Sequence, residues 1–138
     1  MSNYEKKLNE MGIALPTPSA PVANYVGFVR TGNLIFISGQ LPMENGKLQA
    51  IGKVDIEVSV EEAKKAARLC AINIIAQLKL ACKGDLDKVA KCVKLGVFVN
   101  GGANFKDHPA VANGASDLIA EVFGDAGKHA RAAVGSGS

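Results

Sequence analysis

Arg131 sits within Ala130-Arg131-Ala132-Ala133-Val134, among small apolar neighbours. The chain's other arginines are Arg30 and Arg68. A guanidinium on a packed strand must find an anion or several acceptors, because burying it unpaired is costly. Its planar fork suits a carboxylate held by two parallel hydrogen bonds. A salt bridge to an Asp or Glu of this chain or a neighbour would satisfy it equally well, and spacing alone does not separate the two. Tyr25, Ser38, Gly39 and Asn113 are the other polar or permissive positions at the ends of elements. A glycine there lets a ligand approach the backbone. Taken singly, Tyr25 is as well explained as a rim aromatic and Asn113 as a solvated helix residue. His108 falls at a helix start, where capping accounts for it, and His129 precedes a strand. Cys70, Cys82 and Cys92 lack the spacing of a zinc site or disulfide framework and fall where a core needs filling. The sequence has no P-loop, no GxGxxG after a strand, no HExxH and no GxSxG. Gly101-Gly102 and Gly135-Ser136-Gly137-Ser138 read as plain loops. No cofactor is expected.

These residues depend on the elements that carry them. Residues 2–15 repeat Tyr4, Leu8 and Met11 at helical spacing, and Pro16-Thr17-Pro18-Ser19-Ala20-Pro21 then stops any helix. This segment, 1–21, is expected to be an appendage on a domain spanning 22–138. Residues 24–30 alternate as a strand, Thr31-Gly32-Asn33 turns the chain, and Leu34-Ile35-Phe36-Ile37 is apolar throughout. The pair predicts a hairpin whose second strand is buried on both faces and closed by Ser38-Gly39-Gln40-Leu41-Pro42. Asn45-Gly46 signals a further turn, with a short strand over 47–49. Ser59-Val60-Glu61-Glu62 is a capping box. It opens a helix striped by Ala63, Ala66, Ala67, Cys70, Ala71, Ile74, Leu78, Ala81 and Cys82, with Gly84 at C′. Residues 91–100 form a strand with Val93, Leu95, Val97 and Val99 on one face, and Cys92 and Phe98 on the other. Asp107 or His108 caps a second helix with Pro109 in its first turn and Val111, Ala115, Leu118, Ile119 and Val122 as its stripe, up to Gly124. Residues 130–134 make a last strand. The order β-β-α-β-α-β predicts an α+β two-layer sandwich, a mixed sheet with two helices on one face.

Composition narrows the functional classes. With 138 residues and 48% apolar content, one domain can bury a core without staples. The net charge of +3 is spread along the chain with no basic run, so nucleic-acid binding is not expected. No signal peptide is read at the start, and no apolar run approaches the ~20 residues of a membrane span. Three thiols suit a reducing compartment, and a cytoplasmic protein without membrane attachment is expected.

Together these segments resemble the Rid family, the YjgF-like proteins that include the reactive-intermediate (enamine/imine) deaminases. The resemblance rests on Gly32-Asn33-Leu34-Ile35-Phe36-Ile37-Ser38-Gly39-Gln40-Leu41-Pro42, on Val93-Lys94-Leu95-Gly96-Val97-Phe98-Val99, on Asn104-Phe105 and Val111-Ala112-Asn113, and on Ala130-Arg131-Ala132-Ala133-Val134. It covers roughly residues 22–135, and the N-terminal helix with its Pro-rich linker looks like a less-characterised branch. The resemblance implies a chorismate-mutase-like fold and a homotrimer with ligand clefts between subunits. It implies that Arg131 grips the carboxylate of a small 2-imino or 2-keto acid, while Tyr25, Ser38, Gly39, Asn113 and the backbone of Ala133 line the cleft. Water would then attack the imine carbon. Two departures accompany it. The family often carries Cys at the place of Ala133. It also continues into a final strand, bearing a water-orienting Glu, that this sequence does not contain, so an exposed sheet edge is expected. A non-catalytic carboxylate-binding or metabolite-sensing trimer is the alternative expectation, and RNA cleavage or translation inhibition a more remote one.

Overall fold

The computed structural model describes residues 2–18, 20–21 and 23–137. Ser19 of the expected linker, Val22 at the expected domain boundary and Ser138 lie outside them.

The first helix, α1 (Asn3–Glu10), begins where Ser2 accepts a hydrogen bond from the Glu5 amide at 3.1 Å. The Asp87 carboxylate, from the 3-10 turn Leu86–Lys88, accepts the Asn3 amide at 3.0 Å. An acid at a helix N-terminus is favourable because the first amides have no partner within the helix. Leu8 is buried, Ile13 follows it into the core, and the Tyr4 ring meets Phe123 edge-on at 4.7 Å. The expectation of an appendage is therefore corrected: this helix is part of the core. Its stripe of apolar residues covers the end of another helix, and burying Leu8 alone contributes about 2 kcal/mol.

Strands β1 (Phe28–Thr31) and β2 (Leu34–Ile37) pair antiparallel about Gly32-Asn33, where Gly32 takes φ 56°. A second, smaller hairpin joins β3 (Met43–Glu44) to β4 (Lys47–Leu48). Asn45 and Gly46, with φ 54° and 77°, make the tight turn that their dipeptide signals. Asn73 donates to the Leu41 and Met43 carbonyls at 3.0 and 3.1 Å, tying this stretch to the long helix α2 (Val60–Ala81).

Helix α2 starts with the expected capping box between Ser59 and Glu62. At its other end the left-handed position is held by Lys83 (φ 54°), one residue before the expected Gly84. Ala63, Ala67, Ala71 and Ile75 are buried. The small side chains let α2 approach α3 (His108–Phe123) closely: a Cβ on Gly114 would collide with the Lys64 carbonyl. Asp107, rather than His108, caps α3 by accepting the Ala110 amide at 3.3 Å, and the whole expected stripe of α3 is buried. Gly124 ends it at φ 63°.

Strand β5 (Lys94–Asn100) pairs in parallel with β6 (Ala130–Ser136), with Leu95 opposite Arg131 and Val97 opposite Ala133. The helices cover one face of this pair through Leu95 and Val99.

Two sheet expectations need correction. The strands do not form one continuous sheet: among the described residues they form three separate pairs, two antiparallel and one parallel. Nor is β2 buried on both faces, since Leu34 and Phe36 are 47% and 61% exposed. At the end of β5 the Val54 amide donates to the Asn100 carbonyl at 2.8 Å, and Phe98, on the face turned away from the helices, is exposed. The described residues thus make a mixed α+β fold, with the helices packed as one layer behind incomplete sheets.

Candidate functional site

The Arg131 side chain reaches from β6 to α3. Its Nη1 donates to Asn113 Oδ1 at 2.8 Å and to Ser116 Oγ at 3.1 Å. Asn113 and Ser116 are three apart on α3 and so share a helix face. Behind them, His129 Nε2 lies 2.9 Å from Ser116 Oγ, and His129 Nδ1 lies 2.6 Å from the Gly127 carbonyl. Gly127 permits this tight junction, because a Cβ there would strike the backbone of Ile119 and Ala120. The result is a hydrogen-bonded chain leading to one cation.

The partners of Arg131 are therefore not the acid that a structural salt bridge requires. The ion pairs among the described residues are Lys64–Glu61, Lys79–Glu5 and Lys128–Asp125. Arg131 is also exposed, which corrects the expectation of a guanidinium packed within a strand. Two neutral acceptors fix one nitrogen in place, and the charge itself is left uncompensated by any of those pairs. Such an arrangement favours an anion on the remaining donors of the fork.

Tyr25, Ser38 and Gly39 lie elsewhere. They line a cleft of about 1510 Å³ between β2 and β5, floored by Ala66, Cys70 and Ile74 of α2. Arg131, Asn113 and Ala133 are not among its lining. Tyr25 is 56% exposed, and the Ser38 hydroxyl donates to the Val26 carbonyl. A Cβ on Gly39 would meet open space, so the backbone there is approachable. Within one chain, then, the structure gathers Arg131 with Asn113, and Tyr25 with Ser38 and Gly39. It leaves Ala133 half-buried on β6.

Sequence reasoning missed Ser116 and the link through His129. The signals were present: Ser116 falls one helical turn beyond Asn113, and His129 stands two residues before Arg131, just ahead of β6. His108 instead meets the Phe105 ring edge-on at 5.1 Å. Of the three thiols Cys82 is buried, while Cys70 and Cys92 are half-buried, so the core-filling expectation holds only in part. Burial pushes Cys70 up to about 11, and burial likewise raises Cys82 and Cys92. Thiols held protonated are poor nucleophiles and poor metal ligands. Among the described residues no group of His, Cys, Asp and Glu is placed to hold a metal ion, and no helix is long and apolar enough to cross a membrane.

A family model described as "YjgF/chorismate_mutase-like, putative endoribonuclease" matches residues 5–136. The chain belongs to the YjgF/chorismate-mutase-like family. Among its relatives, Protein TCP17 of Trypanosoma cruzi is 46% identical over 129 residues, which is 93% of this chain and 80% of that protein. The crystal structure of Atu1372 from Agrobacterium tumefaciens, a protein of unknown function, superposes with a TM-score of 0.91 at 49% identity, covering 99% of this chain and 84% of the other. A "putative endoribonuclease" from Shewanella oneidensis superposes with a TM-score of 0.94 at 35% identity, covering 99% and 89%. The match begins at residue 5, within α1.

Proposed function

We propose that this YjgF-like chain binds small 2-imino and 2-keto carboxylates at Arg131, and that its assembled form hydrolyses the imines. The observation that carries this reading is the pairing of Arg131 with two neutral acceptors, Asn113 and Ser116, and with none of the acids in the ion pairs. A carboxylate on the remaining donors would neutralise the charge through two parallel bonds. The iminium carbon would then stand next to the guanidinium. Water adds to that carbon, the C–N bond breaks, and ammonium leaves with a 2-keto acid behind.

The separation of Tyr25, Ser38 and Gly39 from Arg131 supports a site shared between subunits of a homotrimer, with the hairpin of one copy facing β6 of the next. Exposed apolar side chains on the strands, Phe36 at 61% and Phe98 at 76%, give such an assembly something to bury. A second reading is binding without turnover, as in a metabolite sensor. It is favoured by the hydrogen-bonded chain around Arg131, which holds no carboxylate and whose imidazole, His129, is already engaged by Ser116 and the Gly127 carbonyl. RNA cleavage is less well supported, because the basic residues form no stripe and no aromatic platform accompanies them.

The deciding measurement is ammonia and keto-acid release from an enzymatically generated imine, with wild type and Arg131→Ala compared. Catalysis by wild type that Arg131→Ala abolishes supports the hydrolase. Rates equal to the uncatalysed one for both, with pyruvate binding retained by wild type, select the sensor. Absence of both turnover and binding at millimolar ligand removes the carboxylate reading.

A further inference from the structure

Ser116 and His129 form a hydrogen-bonded relay whose polarity is fixed by the backbone. The Gly127 carbonyl can only accept, so His129 Nδ1, at 2.6 Å from it, must carry the ring proton. In the neutral ring Nε2 is then a bare acceptor, and the Ser116 hydroxyl must donate to it across 2.9 Å. With its proton committed, Ser116 Oγ turns its lone pairs toward Arg131 Nη1, 3.1 Å away. We propose that Ser116 and His129 are positioning residues of the Arg131 anion site and couple anion binding to the protonation of His129. This rests on the carboxylate reading above.

Protonating His129 makes Nε2 a donor, so the relay reverses. Ser116 then accepts from both His129 and Arg131, and its own O–H is released to donate to an anion held beside the guanidinium. The added positive charge acts in the same direction. Other charged or titratable groups on the surrounding elements are His108, Asp117 and Glu121 of α3, Lys94 of β5, and Asp125 and Lys128 of the turn before β6. Asp125 and Lys128 pair with each other at 3.2 Å. Anion affinity should therefore rise when His129 takes up a proton, as histidines in general do over a range near neutrality.

The test is calorimetric titration of pyruvate into the full chain at about pH 5.5 and about pH 8, either side of that range. Wild type should bind at least about fivefold tighter at the lower pH, the low end of usual site-to-site coupling. Ser116→Thr keeps the hydroxyl and should keep the pH dependence. Ser116→Ala and His129→Phe should bind more weakly and lose it. Nitrogen NMR of wild type at high pH should show the Nδ1–H tautomer of His129, a readout that needs no variant to fold. Pyruvate binding indifferent to pH, pH dependence surviving in Ser116→Ala, or an Nε2–H tautomer would each overturn the relay while leaving the carboxylate site intact. No binding by wild type at either pH would remove both.

Discussion

Arg131 is set apart by the company it keeps. Asn113 and Ser116 each accept from Nη1, and neither can neutralise the charge. Replacing Arg131 by Lys should therefore not be conservative: an ammonium cannot bond two helix side chains and a carboxylate in one plane. Pyruvate affinity should fall by roughly tenfold or more, the loss of a charge-assisted bond of ~1.5–3 kcal/mol. Calorimetry checks this, and Lys affinity equal to wild type would show the fork to be unused. Cys70 offers an independent check on packing. Its pKa is raised by burial from 9.0 to about 11, so the folded state holds its proton where the unfolded state has lost it. Stability contributed by the protonated thiol is complete below pH 9.0 and is lost as pH rises toward about 11. Chemical denaturation across that window should show the decline, and Cys70→Ala should flatten it. Alkylation of native protein near neutral pH should be slow at Cys70 and should accelerate when the chain unfolds.

Among the elements, α2 is the one whose ends and faces are best specified. Ser59→Ala removes an acceptor for the Glu62 amide and should cost about 1 kcal/mol, read as a lowered urea midpoint with unchanged slope. Gly114→Ala acts on the crossing of α2 and α3, because the new methyl would strike the Lys64 carbonyl. Backbone on both sides leaves no flexible side chain to yield, so the helices must separate. The expected loss is about 1–3 kcal/mol despite alanine's better helix propensity. A Gly114→Ala protein as stable as wild type would mean that the two helices are less closely apposed than described. The hairpin β1–β2 is the opposite case. Among the described residues its strands pair with each other only, and β2 lies along an open cleft.

At the scale of the whole molecule, the surface is unbalanced. Phe36, Ile51, Val93 and Phe98 are all more than half exposed, and the strands of the described residues form only two-stranded sheets. Large exposed apolar groups and open edges favour association. Wild type should sediment as an oligomer in a concentration-dependent way, and Phe98→Ser should shift it toward monomer without lowering the helical signal. A monomer at high concentration would remove the proposed shared cleft. It would also leave Tyr25, Ser38 and Gly39 with no route to Arg131.

Local chemistry made much of this legible in advance. The capping box at Ser59, the Asn45-Gly46 turn, the stripe of α3 and the stop at Gly124 all depend on residues within a few positions of each other, where propensity and hydrogen bonding are written directly in the sequence. The family resemblance likewise followed from motif order. What sequence could not supply was every relation between distant segments. An apolar run such as Leu34-Ile35-Phe36-Ile37 states that burial would be favourable, and does not state which surface will provide it. Tyr4 and Leu8 announced a helix, while only the folded chain brought them onto Phe123. Arg131 was singled out by its neighbours in sequence. Its neutral partners and the relay through Ser116 to His129 came from the packing of α3 on β6, because hydrogen-bond partners are chosen by geometry in three dimensions.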